Sequence, residues 1–405
     1  MDPTLPDRTQ LEALAAEVAA TAGTLGARLH PDTLDAIATL LRTVNTYYSN
    51  LIEGHDTHPI DIDRAMKQDY SGDPKRRALQ LEARAHIEVQ LLVEQRPATD
   101  PTFNPCAPES IRWIHAEFYR RLPAELRVVR APDGSGARTI EAGAIRDYDV
   151  RVGDHIAPPF AEVPALLERF AATYDPSGRG VVDGLIALAA AHHRLLWIHP
   201  FGDGNGRVTR LLTDAYLRRI GVGGHGLWTA SRGLARQSTR YRDALAAADA
   251  VRWNSYDGRG PLSLRALSDF CGFFLEVLLD QVRYMGGLLA VDTLTDRVRR
   301  YAGARTVGVL PGVVADFREE AGLLLEHLAY RGSIPRGQVP KLLRLEEWTS
   351  RRVVRVLTDD GFITSATTRA PLRLRIPAHA APYLFPGLFP PGPPPSAPAH
   401  GAGQG

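Results

Sequence analysis

His199-Pro-Phe-Gly-Asp-Gly-Asn-Gly-Arg-Val-Thr-Arg210 reads as a tight turn between two helices. Upstream, Val181 to Ile198 is a long apolar run that predicts a helix. Pro200 ends it, because the residue before a proline is disfavoured in the helical region. Downstream, a second helix is expected over about 206–220. The glycines of Gly202-Asp-Gly-Asn-Gly206 permit positive φ and close backbone approach, so successive N–H groups can point into one concavity. The positive end of the following helix faces the same space. Arg207 and Arg210, three residues apart, share a face of its first turn. Such a set forms a polyanion site whose natural guest is a di- or triphosphate.

Asp203, set among those donors, is suited to holding Mg²⁺ that bridges phosphates rather than to touching phosphate itself. His199 adjoins the nest, and a neutral imidazole there can take a proton from an incoming hydroxyl, a contribution of about 10²–10⁴-fold. Other readings fail on context. The glycine spacing is not that of the dinucleotide fingerprint, and a helix rather than a strand precedes it. No Gly-Lys-Ser/Thr follows, which excludes a Walker loop, and His192, His193 and His199 lack the spacing of a zinc-protease pair. The competing bland reading is a helix–turn–helix corner with solvent-facing arginines.

The run resembles the motif of the Fic family, HPFx(D/E)GNGRxxR, without a departure. That resemblance implies a helical protein that moves AMP from ATP onto a Ser, Thr or Tyr hydroxyl of a target protein, which can be the enzyme itself, and releases pyrophosphate. It implies His199 as general base and Asp203 as Mg²⁺ ligand. Gly202, Gly204, Asn205 and Gly206 would bind ATP around its α-phosphate, with Arg207 and Arg210 on the outer phosphates. Phe201 would point into the core and Pro200 fix the turn. Tyr148 to Asp154 is a hairpin candidate, and Val150, Arg151, Val152 and Gly153 resemble the family's flap (about 145–155), which pairs with the target segment as an added strand. Removal of AMP through the same site, or nucleotide sensing by a DNA-binding regulator, are the alternative functions, and donors other than ATP stay open.

Ser49-Asn-Leu-Ile-Glu53-Gly54 closes another predicted helix, with Ser49 and Glu53 one turn apart and Gly54 suited to a left-handed terminus. It matches the family's inhibitory pattern, (Ser/Thr)xxxE(Gly/Asn), and by resemblance Glu53 pairs with Arg210. A charge-assisted hydrogen bond contributes about 1.5–3 kcal/mol, so pairing alone would slow turnover about ten- to a hundredfold.

The fold expected is mainly α. It comprises an N-terminal helical region (1–95), a Fic-type core with a small hairpin flap (96–260) and a helical connector (261–310). A winged helix-turn-helix (311–377) and a disordered Pro/Gly-rich tail (378–405) complete it. Asp32 is expected to cap a helix running towards Ile52. In the winged helix the recognition helix is expected at about Thr349–Thr358. Seven basic residues from Arg331 to Arg355 stand there against Glu346 and Glu347. DNA contact and a docking or dimer module are equally open for it. Elsewhere the formal net charge of only +2 supplies no global field for nucleic acid or membrane. Two cysteines, Cys106 and Cys271, exclude a disulfide framework and a structural zinc site. With no signal-peptide pattern and no stretch read as membrane-spanning, a cytoplasmic enzyme without membrane partners is expected, with homodimerisation plausible from the long helices.

Overall fold

The structure, a computed structural model, describes residues 5–130, 136–258, 260–310 and 316–390. Its elements begin with α1 (Arg8–Gly23), α2 (Pro31–Ile52), α3 (Pro59–Met66), α4 (Pro74–Thr99) and α5 (Pro108–Arg120). Two small hairpins follow, β1 (Val128–Arg130) with β2 (Ala137–Thr139) and β3 (Arg151–Val152) with β4 (His155–Ile156). Next come α6 (Val163–Tyr174), α7 (Val181–Ile198), α8 (Asn205–Arg219), α9 (Ala230–Arg236), α10 (Ser238–Ala248), α11 (Leu264–Leu288) and α12 (Val291–Thr306). The C-terminal part contains α13 (Glu319–Arg331), β5 (Ser333–Ile334), α14 (Val339–Leu343), α15 (Glu347–Asp359), β6 (Ile363–Thr364), β7 (Leu372–Leu374) and α16 (Ala381–Leu384).

The chain divides into two compact units that do not follow the boundaries expected from composition. The first contains Met1–Leu25, Asn45–Thr57 and Arg64–Met285, and the second Gly26–Val44, His58–Asp63 and Gly286–Gly405. The N-terminal region is therefore shared between the units, since α2 contributes its first half to one and its last turns to the other.

In the first unit α7 is the central element, packed by α1, α6 and α8. Its residues Leu185 to Ala191 are all buried, which explains an apolar composition on every side. By length and composition alone α7 would reach across a membrane, which corrects the expectation that no stretch does; 67% of it is buried inside the protein. Around it, Pro74 opens α4 behind an Asp73 side chain that accepts the Arg76 N–H at 2.8 Å. Pro108 likewise opens α5, as its position predicts.

The second unit places β7 between β5 and β6 in an antiparallel three-stranded sheet, with α13 and α15 packed beside it and α14 packed on those two helices. Gly332 ends α13 at φ 71°, where a Cβ would lie 2.4 Å from the Asp32 Cβ, so only glycine fits. Asp32 is not the cap of α2. The Asp32 N–H is instead accepted by His30 Nδ1 at 3.2 Å, while the Asp32 carboxylate holds Ser333 and, at 3.2 Å, Arg373. The tail is also corrected in part, because Ala380, Ala381, Leu384, Phe385, Leu388 and Phe389 are buried. Its few large apolar residues suffice to seal the unit despite the prolines. The disorder expected for 391–405 lies outside the described residues.

Candidate active site

The turn is shaped by two left-handed residues. His199 caps α7 at φ 50°, ψ 61°, an uncommon conformation for a side chain other than glycine, and Gly204 precedes α8 at φ 79°. Asn205 closes the loop on itself. Its Oδ1 accepts the Phe201 N–H at 3.0 Å, and its Nδ2 donates to the Phe201 carbonyl at 2.9 Å. The Asn205 side chain is thus occupied in shaping the turn, which leaves backbone groups to meet a ligand. Phe201 is fully buried and stacks on His115, which stacks in turn on Tyr119. A Cβ on Gly202 would lie 2.3 Å from Tyr148 Oη, and one on Gly204 2.9 Å from the Tyr119 ring, so neighbours approach both glycines closely.

Arg146 holds His199 in that strained position, and nothing in the sequence reading pointed to it. Its side chain is fully buried. The guanidinium donates to the carbonyls of His199 at 2.8 Å, Tyr148 at 2.9 Å, Pro158 at 2.5 Å and Ile198 at 3.4 Å. One cation therefore caps α7 and ties both ends of the β3–β4 segment to it, as suits positive charge at a helix C-terminus. Burial, set against the milder effect of Asp149, pulls the Arg146 pKa below the ordinary arginine value.

Burial is also the main reason the His199 pKa falls to about 4, with the neighbouring His155 adding to it. At neutral pH the imidazole is therefore uncharged, as a proton acceptor must be. The Leu196 backbone acts in the opposite direction and is outweighed.

Asp203 accepts Tyr119 Oη at 2.5 Å and Arg207 Nη2 at 3.1 Å. Burial would raise its pKa, but Arg207 and then Tyr119 outweigh that and hold the carboxyl below its usual range. Arg207 also donates to Glu82 Oε2 at 3.4 Å, a partner the sequence did not disclose because it lies on distant α4. The buried Arg207 Nε has no hydrogen-bond partner among the described residues, the signature of a donor awaiting an anion. The described residues hold no group of three or more His, Cys, Asp or Glu placed to bind a metal ion by themselves. Mg²⁺ is commonly bound by one or two carboxylates completed by phosphates and water, so Asp203 beside an anion nest is a chemically fitting donor set.

Ser49, Glu53 and Arg210 come together. Arg210 donates from Nε to Ser49 Oγ at 2.8 Å, and from Nη2 to the Ser49 carbonyl at 3.0 Å and to Glu53 Oε1 at 2.5 Å. Gly54 has φ 85° and ends the helix. A Cβ on Gly206 would stand 2.2 Å from Glu53 Oε1, so the carboxylate lies directly over the start of α8, where an anion is favoured. Burial opposes the Glu53 charge, but Arg210 and then Arg207 prevail and lower its pKa.

The hairpin is smaller than expected. Arg151 pairs with Ile156 and Val152 with His155, and Gly153 turns at φ 59°. The Val150 carbonyl accepts the Ala157 N–H at 3.3 Å, while Arg151 bonds back to the Gly153 carbonyl at 2.8 Å and pairs with Asp154 at 3.6 Å.

Residues 105–217 match the Fic/DOC family. Over 82 residues the chain is 39% identical to the protein adenylyltransferase Fic of Drosophila melanogaster, covering 20% of this chain and 17% of that protein. For the protein adenylyltransferase Fic of Culex quinquefasciatus the identity is 38% over 82 residues, covering 20% and 16%. The chain thus spans only about a sixth of the length of the curated relatives it matches. A Fic family protein from Desulfovibrio desulfuricans G20 shares the fold over 90% of this chain and 95% of its own, at TM-score 0.53 and 19% identity.

Proposed function

We propose that this chain, a Fic-family protein through its residues 105–217, is an auto-inhibited protein adenylyltransferase. In the reaction a target hydroxyl oxygen bonds to the α-phosphorus of ATP, the bond from that phosphorus to the bridging oxygen breaks, and pyrophosphate leaves. His199 takes the hydroxyl proton. The backbone around Gly204 and Gly206 and the orphaned Arg207 Nε receive phosphate oxygens, and Arg210 receives the terminal phosphate once Glu53 gives it up. Mg²⁺ at Asp203 would neutralise phosphate charge.

The observation that carries this reading is the neutral imidazole held beside a nest of donors in which the chain's own Glu53 carboxylate occupies an anion's place. Arg210 commits its Nε and Nη2 to Ser49 and Glu53, so only Nη1 remains to meet a nucleotide. The deciding experiment incubates the wild type and Glu53→Gly with α-labelled ATP, Mg²⁺ and a lysate. Label on protein, greater with Glu53→Gly, supports the reading. Release of AMP from a previously modified protein instead assigns hydrolytic removal of AMP, and neither outcome together with tight DNA binding overturns both.

We read 319–374 as a winged helix-turn-helix, since α13, α14 and α15 lead into the β6–β7 ribbon and β5 closes the sheet. Its role is better described as docking than as DNA contact. Arg351 pairs with Glu347 at 2.6 Å, Arg352 with Asp316 at 2.6 Å and Arg355 with Asp359 at 3.6 Å, so the basic side chains of α15 already have acidic neighbours. A salt titration of binding to random duplex tests this: no binding at low salt is expected, and a steep salt dependence would reverse the assignment.

A further inference from the structure

The β3–β4 hairpin has only two residue pairs, and a hairpin of that size is marginal in water on its own. Val152 is 50% exposed and Ile156 73%, so no apolar core fixes it either. The inward-facing residue is His155. Its Nδ1 lies 2.8 Å from Asp249 Oδ2, beyond the end of α10, and its Nε2 lies 3.0 Å from the Trp197 carbonyl in the last turn of α7. A carbonyl only accepts hydrogen bonds, and so does an ionised carboxylate. Both ring nitrogens must therefore donate, and only the imidazolium has two N–H groups.

We propose that His155, carried as the imidazolium, is a positioning residue that latches the flap hairpin to the end of α7 and so sets the strand edge offered to a target. The proposal deepens the transferase reading and rests on it for the target. The groups around the latch fit the assignment. His193 on α7 gives its Nε2 proton to the other Asp249 oxygen at 2.9 Å, and its Nδ1 faces Arg194 at 3.4 Å, as a neutral ring would. One carboxylate is thus shared by one neutral and one charged histidine. Burial would raise the Asp249 pKa, yet hydrogen bonds from His155 and then His193 hold it at about 2. The hydrogen bond to Asp249 raises the His155 pKa, against burial and against Arg146. His199, with its ring centroid 6.3 Å away, is disfavoured from taking a proton while His155 carries one. A raised histidine pKa gives a contact that is intact at low pH and lost as pH rises through that value, so the latch opens on the alkaline side of the ordinary histidine range.

The test uses the full chain with ¹⁵N-labelled histidine, where the His155→Gln spectrum identifies His155 among the thirteen histidines. In a pH titration the wild type is expected to keep both His155 nitrogens protonated to a pH above the ordinary histidine value, and Asp249→Asn to lose that shift. A wild-type His155 that titrates at or below the ordinary value overturns the latch whether or not the protein transfers AMP. In the transfer assay His155→Gln and Asp249→Asn should each raise KM for the protein target about tenfold or more, with KM for ATP within twofold. The acid limb of the rate profile should also move to higher pH in His155→Gln, as His199 regains basicity. An imidazolium accompanied by an unchanged target KM overturns the positioning role, and absence of transfer even in Glu53→Gly overturns the transferase reading alone.

Discussion

On the proposed reading the turn from His199 to Arg210 and the hairpin from Arg151 to Ile156 serve one reaction, yet they are built in opposite ways. In the turn, Phe201, Asn205, Arg207 and Arg210 are buried, and backbone and side chains are cross-tied by Arg146, Asn205, Tyr119 and Glu53. The hairpin shows its apolar residues to solvent and depends on contacts at its base and at His155. Groups that handle phosphate and proton need fixed positions to within a fraction of an ångström. A strand edge that must accept a foreign segment needs unsatisfied backbone and room to pair. Rigidity and exposure are therefore divided between two neighbouring segments, and one cation, Arg146, joins them.

Changes at the rigid end should have the largest effects. His199→Ala removes the base and should lower AMP transfer by about 10²–10⁴-fold or more with an unaltered melting temperature, read in a label-transfer assay and a thermal scan. Arg146→Met should strike both segments at once. Several buried carbonyls lose their donor, and the denaturant midpoint should report a loss of about 2–4 kcal/mol alongside lost activity. A stable but inactive Arg146→Met would mean that the turn holds itself and only the hairpin needs the cation. Glu53→Gly should raise transfer about ten- to a hundredfold, self-modification included. Equal activity would remove the brake from the account.

The buried histidines of this region give a pH signature. His199 and His115 have pKa values lowered to about 4 and His86 to about 3, chiefly by burial. The unfolded chain then binds more protons than the folded one between the ordinary histidine value and these lowered ones. The stability contributed by these three histidines should be fully present above about pH 6.5 and decline as pH falls towards 4, measurable as a falling urea midpoint. The smallest effect on the fold belongs to the hairpin: Val152→Ser should change stability by under about 0.5 kcal/mol while weakening use of the protein target. A large loss of stability there would erase the contrast.

The rigid segment was also the more legible in sequence. Glycine spacing, a proline stop and two arginines one turn apart state their physics locally, and the Ser49–Glu53 pairing needs only a helical repeat. Arg146 was illegible because an arginine that donates to four carbonyls leaves no periodicity, and its partners lie up to 53 residues away. Glu82 and Asp249 escaped notice for the same reason, being single acids whose partners arrive by tertiary folding. Asp32 was misjudged because its place near a helix start resembles a cap, whereas its carboxylate serves the strand region at Ser333 and Arg373. Residues 380–389 were taken for tail because proline and glycine dominated the composition around four apolar anchors, Leu384, Phe385, Leu388 and Phe389.

The most direct measurement compares α-labelled with γ-labelled ATP, each given with Mg²⁺ to Glu53→Gly in the presence of a lysate. Label should reach protein from the α position only, with the γ label recovered in pyrophosphate. Protein labelled from the γ position, or from neither, would contradict adenylyl transfer at the His199 turn.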